Sequence, residues 1–198
     1  MKIILLFKLY MNKFFVILLL LMTLLSCSDN KLTFNGSNIT DAKLDSYFEL
    51  ISHSGKKKNI NDFKGKVVAI FFGFASCPDI CPTTMFELKK IKSDLGEKSK
   101  EFKVLFISLD PERDTPELLS KYVPSFDPSF IGLTGTEEDI KKITQQFKVY
   151  RKKVIQGDSY TIDHSSGLYL IDREGKIRIR HSYGTEIKLI VEDIKKLI

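Results

Sequence analysis

Two cysteines lie close together in the stretch FFGFASCPDICPTTMFELKKI, which runs from Phe71 to Ile91. Three residues separate Cys77 from Cys81, one more than in the familiar Cys-X-X-Cys redox motif. Paired thiols can cycle through a disulfide, bind a soft metal ion or crosslink the chain. A crosslink here would close too short a loop to restrict the unfolded chain much, so the pair favours redox or metal chemistry.

The residues around the pair predict where the two sulfurs lie. Pro82 suits the first turn of a helix, because it has no N–H to leave unbonded there and its φ is preset. Cys81 is then at or beside the helix N-cap, and Cys77 lies in the loop just before it. The partial positive charge at the start of a helix lowers the pKa of a nearby thiol. We therefore expect two reactive sulfurs at the exposed end of a strand.

Strand and helix patterns alternate around the cysteine segment. The continuous apolar runs at 66–74 and 102–110 are typical of strands buried on both faces. Between them, apolar residues recur at helical spacing until Gly96, which predicts a helix that ends there. The other predicted elements are a hairpin turning at Gly55, helices starting near Pro116 and Thr136, strands at 130–135, 149–155 and 167–181, and a closing helix at 186–198. This order predicts an α/β, thioredoxin-like fold over residues 44–198, with a central mixed sheet flanked by helices.

A metal site needs more than two sulfurs, and the chain has three histidines. His53 falls in a predicted hairpin loop and His181 at the end of a charged strand, so neither is expected to be a ligand. His164 lies immediately before a predicted strand, in YTIDHSSGLYLID. In a thioredoxin-like fold the loop entering that strand faces the cysteine turn. Thioredoxins place a cis-proline there, whereas no proline follows Pro128 in this chain.

Two thiolates and one imidazole suit Cu(I), and they suit Cu(II) when a weak further ligand is present. Copper is therefore the metal that this residue set favours, although spacing alone leaves the role of a lone histidine open. Met85, four residues after Cys81, carries a soft thioether, but its place in the helical pattern favours the core.

Three separate stretches resemble the SCO/SenC family of copper proteins, which assist the assembly of cytochrome c oxidase. They are CPDICPTT (77–84), SLDPERDTPELL (108–119) and DHSSGLYLID (163–172), in the family's order and spacing. The similarity extends from about Tyr47 to the end of the chain. It implies a thioredoxin fold that binds copper through Cys77, Cys81 and His164. It also implies delivery of copper to, or reduction of, the dinuclear copper centre of the oxidase.

Three acidic residues fall in or beside these stretches. The resemblance places Asp110 and Asp114 near the copper, and Asp163 directly precedes the histidine, so we expect all three to support the ligands. A structural explanation is also open for the first two. Asp110 precedes a proline and suits a turn, while Asp114 or Thr115 suits the N-cap of the next helix.

The first 26 residues resemble a bacterial lipoprotein signal peptide. Lysines precede the apolar run Phe14–Leu25, which is shorter than the roughly 20 residues of a membrane-spanning helix. The run leads into Leu-Leu-Ser-Cys at 24–27, which resembles a lipobox and predicts lipid attachment at Cys27. Residues 27–43 are polar, which predicts a flexible tether. The alternative is an uncleaved helical anchor, with Cys27 present by chance. Both place the domain on the extracytoplasmic face of a bacterial cell envelope, in an oxidising compartment.

Composition and charge narrow the range of partners. The chain has 198 residues, 43% of them hydrophobic, which suits one globular domain plus the N-terminal segments. Half of the net charge of +6 comes from Lys2, Lys8 and Lys13 in the predicted signal peptide. No basic stripe interleaved with aromatic residues remains, so nucleic acid is not an expected partner.

These features predict a membrane-tethered copper metallochaperone. Its partner would be the copper-bearing subunit of cytochrome c oxidase or another copper- or thiol-bearing protein. The main alternative is an extracytoplasmic thiol–disulfide oxidoreductase, in which Cys77 and Cys81 form a redox-active disulfide. The wider spacing and the missing cis-proline weigh against it. A peroxidase is less favoured, because Pro78 and Phe74 replace the threonine and proline of peroxiredoxins. A passive copper-binding protein and the question of enzymatic turnover stay open.

Overall fold

A computed structural model describes Met11, Lys13 and residues 32–198. The predicted lipidation site, Cys27, and nearly all of the predicted signal peptide lie outside the described residues. Residues 33–198 form one compact unit. Within the described part of the chain, no helix is both long enough and apolar enough to span a bilayer.

The strands and α-helices of this unit are numbered here in chain order. The strands are Ser37–Asn38 (β1), Glu49–Ser52 (β2), Lys57–Asn59 (β3), Val67–Gly73 (β4), Phe102–Ser108 (β5), Ile131–Thr134 (β6), Arg151–Gln156 (β7), Ser159–His164 (β8), Gly167–Ile171 (β9) and Ile177–Ser182 (β10). The helices are Ile80–Asp94 (α1), Pro116–Tyr122 (α2), Glu137–Gln146 (α3) and Ile187–Leu197 (α4).

Eight of these strands form a mixed sheet in the order β1-β10-β9-β4-β5-β6-β2-β3. β4, β5 and β6 are parallel neighbours, and β9 pairs antiparallel with β4. A parallel neighbour needs a crossover connection, which α1 and α2 supply. β7 and β8 form a separate antiparallel ribbon. The predicted alternation of strands and helices is therefore confirmed.

Consecutive side chains on β4 enter opposite layers of the core. Phe71 lies beside Phe106 of β5 and helps to line a small cavity against α1 and α4. Phe72 points the other way, where its ring packs edge-on against Phe147, at the end of α3, and against Tyr169. All five rings are buried. Helices therefore flank the sheet on both faces, as the continuous apolar strand predicts.

The sequence predicted the local hairpin correctly but did not predict strands that depend on pairing with other parts of the chain. The predicted hairpin is confirmed, since β2 and β3 pair antiparallel and Gly55 has a φ of +77°, a conformation that suits glycine. Residues 37–42 were assigned to the flexible tether of 27–43, but that assignment is wrong for this segment. β1 pairs with β10, and a short 3-10 helix follows at Thr40–Ala42. His164 was predicted to lie in the loop that enters the next strand, but it ends β8, because residues 159–164 pair with β7.

A buried carboxylate fastens the N-terminal segment to the last helix. Asp193, on α4, has no exposed surface and accepts hydrogen bonds from the N–H groups of Asn35 (2.8 Å) and Gly36 (2.9 Å). Nε2 of His181 lies 3.3 Å from the same carboxylate, and Nζ of Lys196 lies 3.1 Å from it. A buried charge without such partners would strongly destabilise the fold. These contacts explain why the segment before β1 stays on the domain.

The Asp193→Ala substitution should lower the free energy of unfolding by roughly 3 kcal/mol, because the N–H groups of Asn35 and Gly36 lose their acceptor. Urea titration followed by circular dichroism measures this loss. Asp94→Ala is the control, since Asp94 also lies near the end of a helix but forms only an exposed pair with Lys90. Its loss should stay within about 0.5 kcal/mol. Equal losses in the two variants would contradict a fastening role for Asp193.

Candidate metal centre

The two cysteines lie where β4 leads into α1. β4 ends at Gly73, and α1 begins one residue before Cys81, which therefore lies in the first helical turn. Pro82 follows in that turn, as predicted from its missing N–H and preset φ. Cys77 lies in the connecting loop, where its N–H donates to the carbonyl of Phe74 over 3.2 Å. Strand, loop and helix thus bring both sulfurs to one edge of the sheet.

The two sulfurs differ in burial. Both cysteines are free thiols, but Cys77 is half-buried and Cys81 is 0% exposed. Cys81 reaches the interior because residue 73 is glycine, where a Cβ would lie only 2.9 Å from Cys81 Sγ. The prediction of two exposed sulfurs is therefore wrong for Cys81. A glycine inside an apolar strand often marks such a close approach, and Gly73 was the available sequence signal.

His164 lies at the end of β8 and presents its ring to Cys81. Its Nε2 atom is 3.9 Å from Cys81 Sγ, across 83 positions of the chain. Its Nδ1 atom lies 2.9 Å from the carbonyl oxygen of Ser165. A carbonyl oxygen can only accept, so Nδ1 carries a proton and donates a hydrogen bond, and in the neutral imidazole the Nε2 lone pair then faces the sulfur. Phe74 packs edge-on against the imidazole, with ring centroids 5.8 Å apart, and restricts its rotation.

These separations can be compared with those around a metal ion. A metal bound to sulfur at about 2.3 Å and to imidazole nitrogen at about 2.0 Å holds the two atoms roughly 3.5–3.8 Å apart. The 3.9 Å between Cys81 and His164 is close to that range. Among the residues that the structure describes, no three His, Cys, Asp or Glu side chains are close enough to enclose an ion. Cys81 is the member of the predicted ligand set that contacts both others, since it lies 3.9 Å from His164 Nε2 and is hydrogen-bonded to Cys77.

The two cysteines share one proton unequally. The Cys81 thiol donates a hydrogen bond to the Cys77 sulfur, which lowers the pKa of Cys77 to about 5 against the opposing effect of partial burial. The N–H groups of Asp79 and Cys81, at the start of α1, also favour the Cys77 thiolate. The same hydrogen bond and burial raise the pKa of Cys81. The site therefore presents an accessible thiolate and a buried thiol, and a metal must displace the proton of the thiol.

The sequence left open whether Asp114 or Thr115 caps α2 and whether Asp114 supports the site, and the structure gives the two residues different roles. Thr115 caps α2, because its Oγ1 accepts a hydrogen bond from a first-turn N–H over 3.3 Å. Asp114 turns inward, and its Oδ2 accepts from the N–H of Ala75 (3.0 Å) and the hydroxyl of Ser108 (2.6 Å). Its other oxygen has no partner among the described atoms, and burial raises the pKa of this carboxyl. Since Ala75 is two residues before Cys77, Asp114 holds the cysteine loop in place.

Asp110 and Asp163 have contrasting surroundings. Asp110 is buried, accepts a hydrogen bond from the hydroxyl of Tyr160 on β8 over 2.8 Å, and forms an ion pair with Arg113. Asp163 is exposed and alternates with His164 along β8, so its side chain points to the opposite face of the ribbon. Asp110 thus contacts the strand that carries His164, whereas the structure gives Asp163 no hydrogen bond to a predicted ligand.

The other two histidines make structural contacts. His53 was expected to be solvated, but it is half-buried, and its Nδ1 accepts a hydrogen bond from the N–H of Gly132 over 3.0 Å. Burial lowers the pKa of His53. His181 is buried beside Asp193, as described above.

Sequence reasoning missed several residues that shape the site. Phe74 and Ser165 orient the imidazole, and neither follows a pattern that marks this role. Tyr122, on α2, has a buried hydroxyl for which the described residues provide no partner. Burial raises its pKa, and the negative charge shared by the nearby cysteine pair raises it further. In the sequence it is one more aromatic residue of the core.

Comparison with known proteins gives consistent results. The family model described as SCO1/SenC matches residues 36–198. A SCO2-like protein of Rickettsia felis is 42% identical over 159 residues, which are 78% of this chain and 77% of that protein. The structure of Bradyrhizobium japonicum ScoI with copper bound is 36% identical, with a TM-score of 0.73 over 78% of this chain and 99% of that one. A SCO1/SenC family lipoprotein from Bacillus anthracis is 26% identical, with a TM-score of 0.72 over 83% and 99% of the two chains. The predicted thioredoxin-like fold is thereby confirmed.

Cys77 should be alkylated at a pH where a free thiol is inert, because its pKa is about 5 and the thiolate is the reactive form. In reduced, metal-free protein, iodoacetamide labelling followed by mass spectrometry should give a midpoint near pH 5 for Cys77. Cys81 should react slowly, because it is buried and protonated.

Two substitutions separate the hydrogen bond from other causes of this shift. Cys81→Ala removes the donor and should move the labelling midpoint of Cys77 upwards, whereas Cys81→Ser keeps a donor and should move it less. A midpoint near the ordinary thiol value of about 8.5 in the unsubstituted chain would contradict the shared-proton arrangement.

Proposed function

The chain belongs to the SCO1/SenC family, and we propose that it is a membrane-tethered copper metallochaperone. The family's proteins act in copper binding and cytochrome c oxidase assembly. In the proposed function, Cys77, Cys81 and His164 bind the copper ion as cargo. The recipient is the copper-bearing subunit of cytochrome c oxidase or another copper- or thiol-bearing protein.

The observation that carries this proposal is the approach of Cys81 Sγ to within 3.9 Å of His164 Nε2. The hydrogen bond from Nδ1 to the Ser165 carbonyl selects the tautomer in which the neutral imidazole offers Nε2 as the ligand nitrogen. Two sulfurs and one imidazole form a donor set that suits copper in either oxidation state. The copper-bound solved structure of the Bradyrhizobium relative supports the same metal for this chain.

The difference between the two sulfurs suggests how the cargo is taken up and released. Cys77 is ionised and accessible, so its thiolate is available to make the first bond to copper without losing a proton. Cys81 gives up its proton when it binds and then holds the ion on the buried side. A recipient's ligand can reach the ion only from the side of Cys77, so Cys77 is the ligand to be exchanged first on release.

The second candidate function, a thiol–disulfide oxidoreductase, is favoured by the low pKa of Cys77. The Cys77 thiolate would attack a disulfide of a partner protein, forming a mixed disulfide and releasing one partner thiolate. Cys81 would then lose its proton and attack Cys77, which closes the Cys77–Cys81 disulfide and releases the partner as a dithiol. The two functions are compatible in one protein, because copper binding requires both cysteines to be reduced.

The proposed location is the extracytoplasmic face of the bacterial cell envelope, with a lipid on Cys27 as the anchor. The sequence Leu-Leu-Ser-Cys at 24–27 supports this, as does the fact that the Bacillus anthracis relative is a lipoprotein. A domain on that face is in an oxidising compartment, so its thiols need a reductant before they can bind copper.

The His164→Ala substitution should weaken copper binding at least about tenfold and change the copper absorption and magnetic spectra, since changes even in groups that only orient a ligand weaken binding by about 10–100-fold. Titration of the reduced protein with Cu(I) and Cu(II) measures both effects. His53→Ala is the matched control, because His53 contacts Gly132 and should leave binding unchanged. Unchanged affinity and spectra in the His164 variant would rule out the three-ligand site. Reduction of insulin by metal-free wild-type protein would instead support the oxidoreductase.

Lipid attachment at Cys27 predicts a mature chain that begins at that residue with acyl chains on it. Mass spectrometry of protein isolated from membranes should show this modified N-terminus, and Cys27→Ser should abolish both the modification and the cleavage. An unmodified, uncleaved N-terminus in the wild-type chain would exclude the lipid anchor.

A further inference from the structure

His164 lies on the least supported part of the sheet structure. It ends β8, and among the described residues β8 pairs only with β7 and this ribbon forms no pairing with the eight-stranded sheet. An isolated two-stranded ribbon is marginally stable in water. Contacts other than strand pairing must therefore hold the imidazole at its distance from the sulfurs.

One face of β8 and one side chain of β7 make those contacts. Side chains alternate along a strand, so Tyr160, Ile162 and His164 share the face that turns towards the domain. Ile162 is 4% exposed and joins the core. The outward residues of the ribbon are exposed or only partly buried. At the His164 end, Arg151 of β7, which pairs with His164, donates to the carbonyl of Leu109 over 2.5 Å and forms an ion pair with Glu137. The orientation of the rest of the ribbon depends on what holds Tyr160 at the other end of this face.

Tyr160 is held between two cations and two carboxylates. Its ring lies between the guanidinium of Arg113, 3.8 Å from the centroid, and Nζ of Lys153, 3.9 Å from it. Its hydroxyl donates to Asp110 over 2.8 Å and lies 3.2 Å from Glu112. We call these five residues the Tyr160 clasp.

Further hydrogen bonds and ion pairs join the residues of the clasp to one another. Arg113 donates to the backbone carbonyl of Tyr160 over 3.0 Å and pairs with Asp110. Lys153, on β7, pairs with Glu112 over 2.7 Å. Both strands of the ribbon are thus bound to the same loop, which follows β5.

The same loop also holds the cysteines. Asp114, directly after Arg113, accepts the hydrogen bond from Ala75 that holds the loop containing Cys77. Residues 110–114 therefore contact the cysteine loop at one end and the histidine ribbon at the other.

We propose that the Tyr160 clasp sets the separation between His164 and the two cysteine sulfurs, and that Tyr160 is a positioning residue for metal binding. This inference rests on the proposed copper-binding function. Tyr160 lies four positions from His164, about 13 Å along the strand, so a ribbon tilt of about 10° would move the imidazole by about 2 Å. Such a shift would take Nε2 out of bonding range of a metal held by Cys81.

Copper titration of the reduced full chain tests the proposal with paired variants. Tyr160→Ala should weaken copper binding about 10–100-fold, as removal of a group that orients a ligand does. Tyr160→Phe keeps the ring between the two cations and loses only the hydroxyl bonds, so it should recover much of that loss. Lys153→Ala should weaken binding, whereas Lys152→Ala should not, because Lys152 is exposed on the same strand and has no ion pair in the structure.

A readout on metal-free protein separates this inference from the proposed function. In the wild type, the rings of His164 and Phe74 are close enough for a nuclear Overhauser contact, and Tyr160→Ala should lose it while thermal unfolding stays cooperative. The Cu(II) form of the same variant should lose the nitrogen splitting of the imidazole from its magnetic resonance spectrum. Loss of the ring contact in a chain whose wild type binds no copper would support the clasp and refute the chaperone function. Wild-type ring contact and wild-type copper affinity in Tyr160→Ala, or equal effects of the Lys152 and Lys153 substitutions, would overturn the proposal.

Discussion

The candidate site depends on one close approach, the 3.9 Å between the sulfur of Cys81 and Nε2 of His164. Three residues, two at the end of β4 and one directly after His164, make it possible. Gly73 provides the space for the sulfur at the end of β4, where any Cβ would intrude. The carbonyl oxygen of Ser165 accepts a hydrogen bond from Nδ1 of the imidazole, and Phe74 limits the rotation of the ring. The buried sulfur and Nε2 of the imidazole are thereby directed at each other.

The burial of Cys81 also explains the unequal chemistry of the pair. An ionised sulfur is unfavourable in the interior, so the proton stays on Cys81 and is shared through a hydrogen bond with the partly exposed Cys77. This polarity suits both candidate functions. In copper binding it separates an accessible ligand from a retaining one, and in disulfide exchange it separates an attacking thiolate from a resolving thiol. The protein environment of the two functions is therefore the same, and the redox state of the pair decides which can occur.

The loop after β5 is the mechanical link between the two halves of the site. Asp114 reaches the cysteine loop, while Asp110, Glu112 and Arg113 reach the histidine ribbon. Exposed ion pairs and cation–π contacts form much of the second connection, and such contacts are weaker than buried packing. The strand that carries His164 is therefore held less firmly than the buried start of α1 that carries Cys81.

Features that depend on a few neighbouring residues were determined by the sequence alone. Pro82 predicted the first turn of α1, Thr115 was one of two predicted caps of α2, and Gly55 predicted a hairpin. Each follows from a missing N–H, a side-chain acceptor or a permitted φ, all of which are local properties. Family resemblance added the ligand set, and the structure brings Cys81 to His164 as that set requires.

Tertiary structure alone decided which cysteine is buried, which way the imidazole faces and what the acidic residues contact. Asp114 meets Ala75 across 39 positions of the chain, and Cys81 meets His164 across 83. The strand character of β8 and the docking of residues 37–42 likewise arise from partners elsewhere in the chain. These partners lie too far along the chain for any short stretch of sequence to contain them. Packing against them decides whether a sulfur is exposed or buried and whether a carboxylate caps a helix or points into the interior.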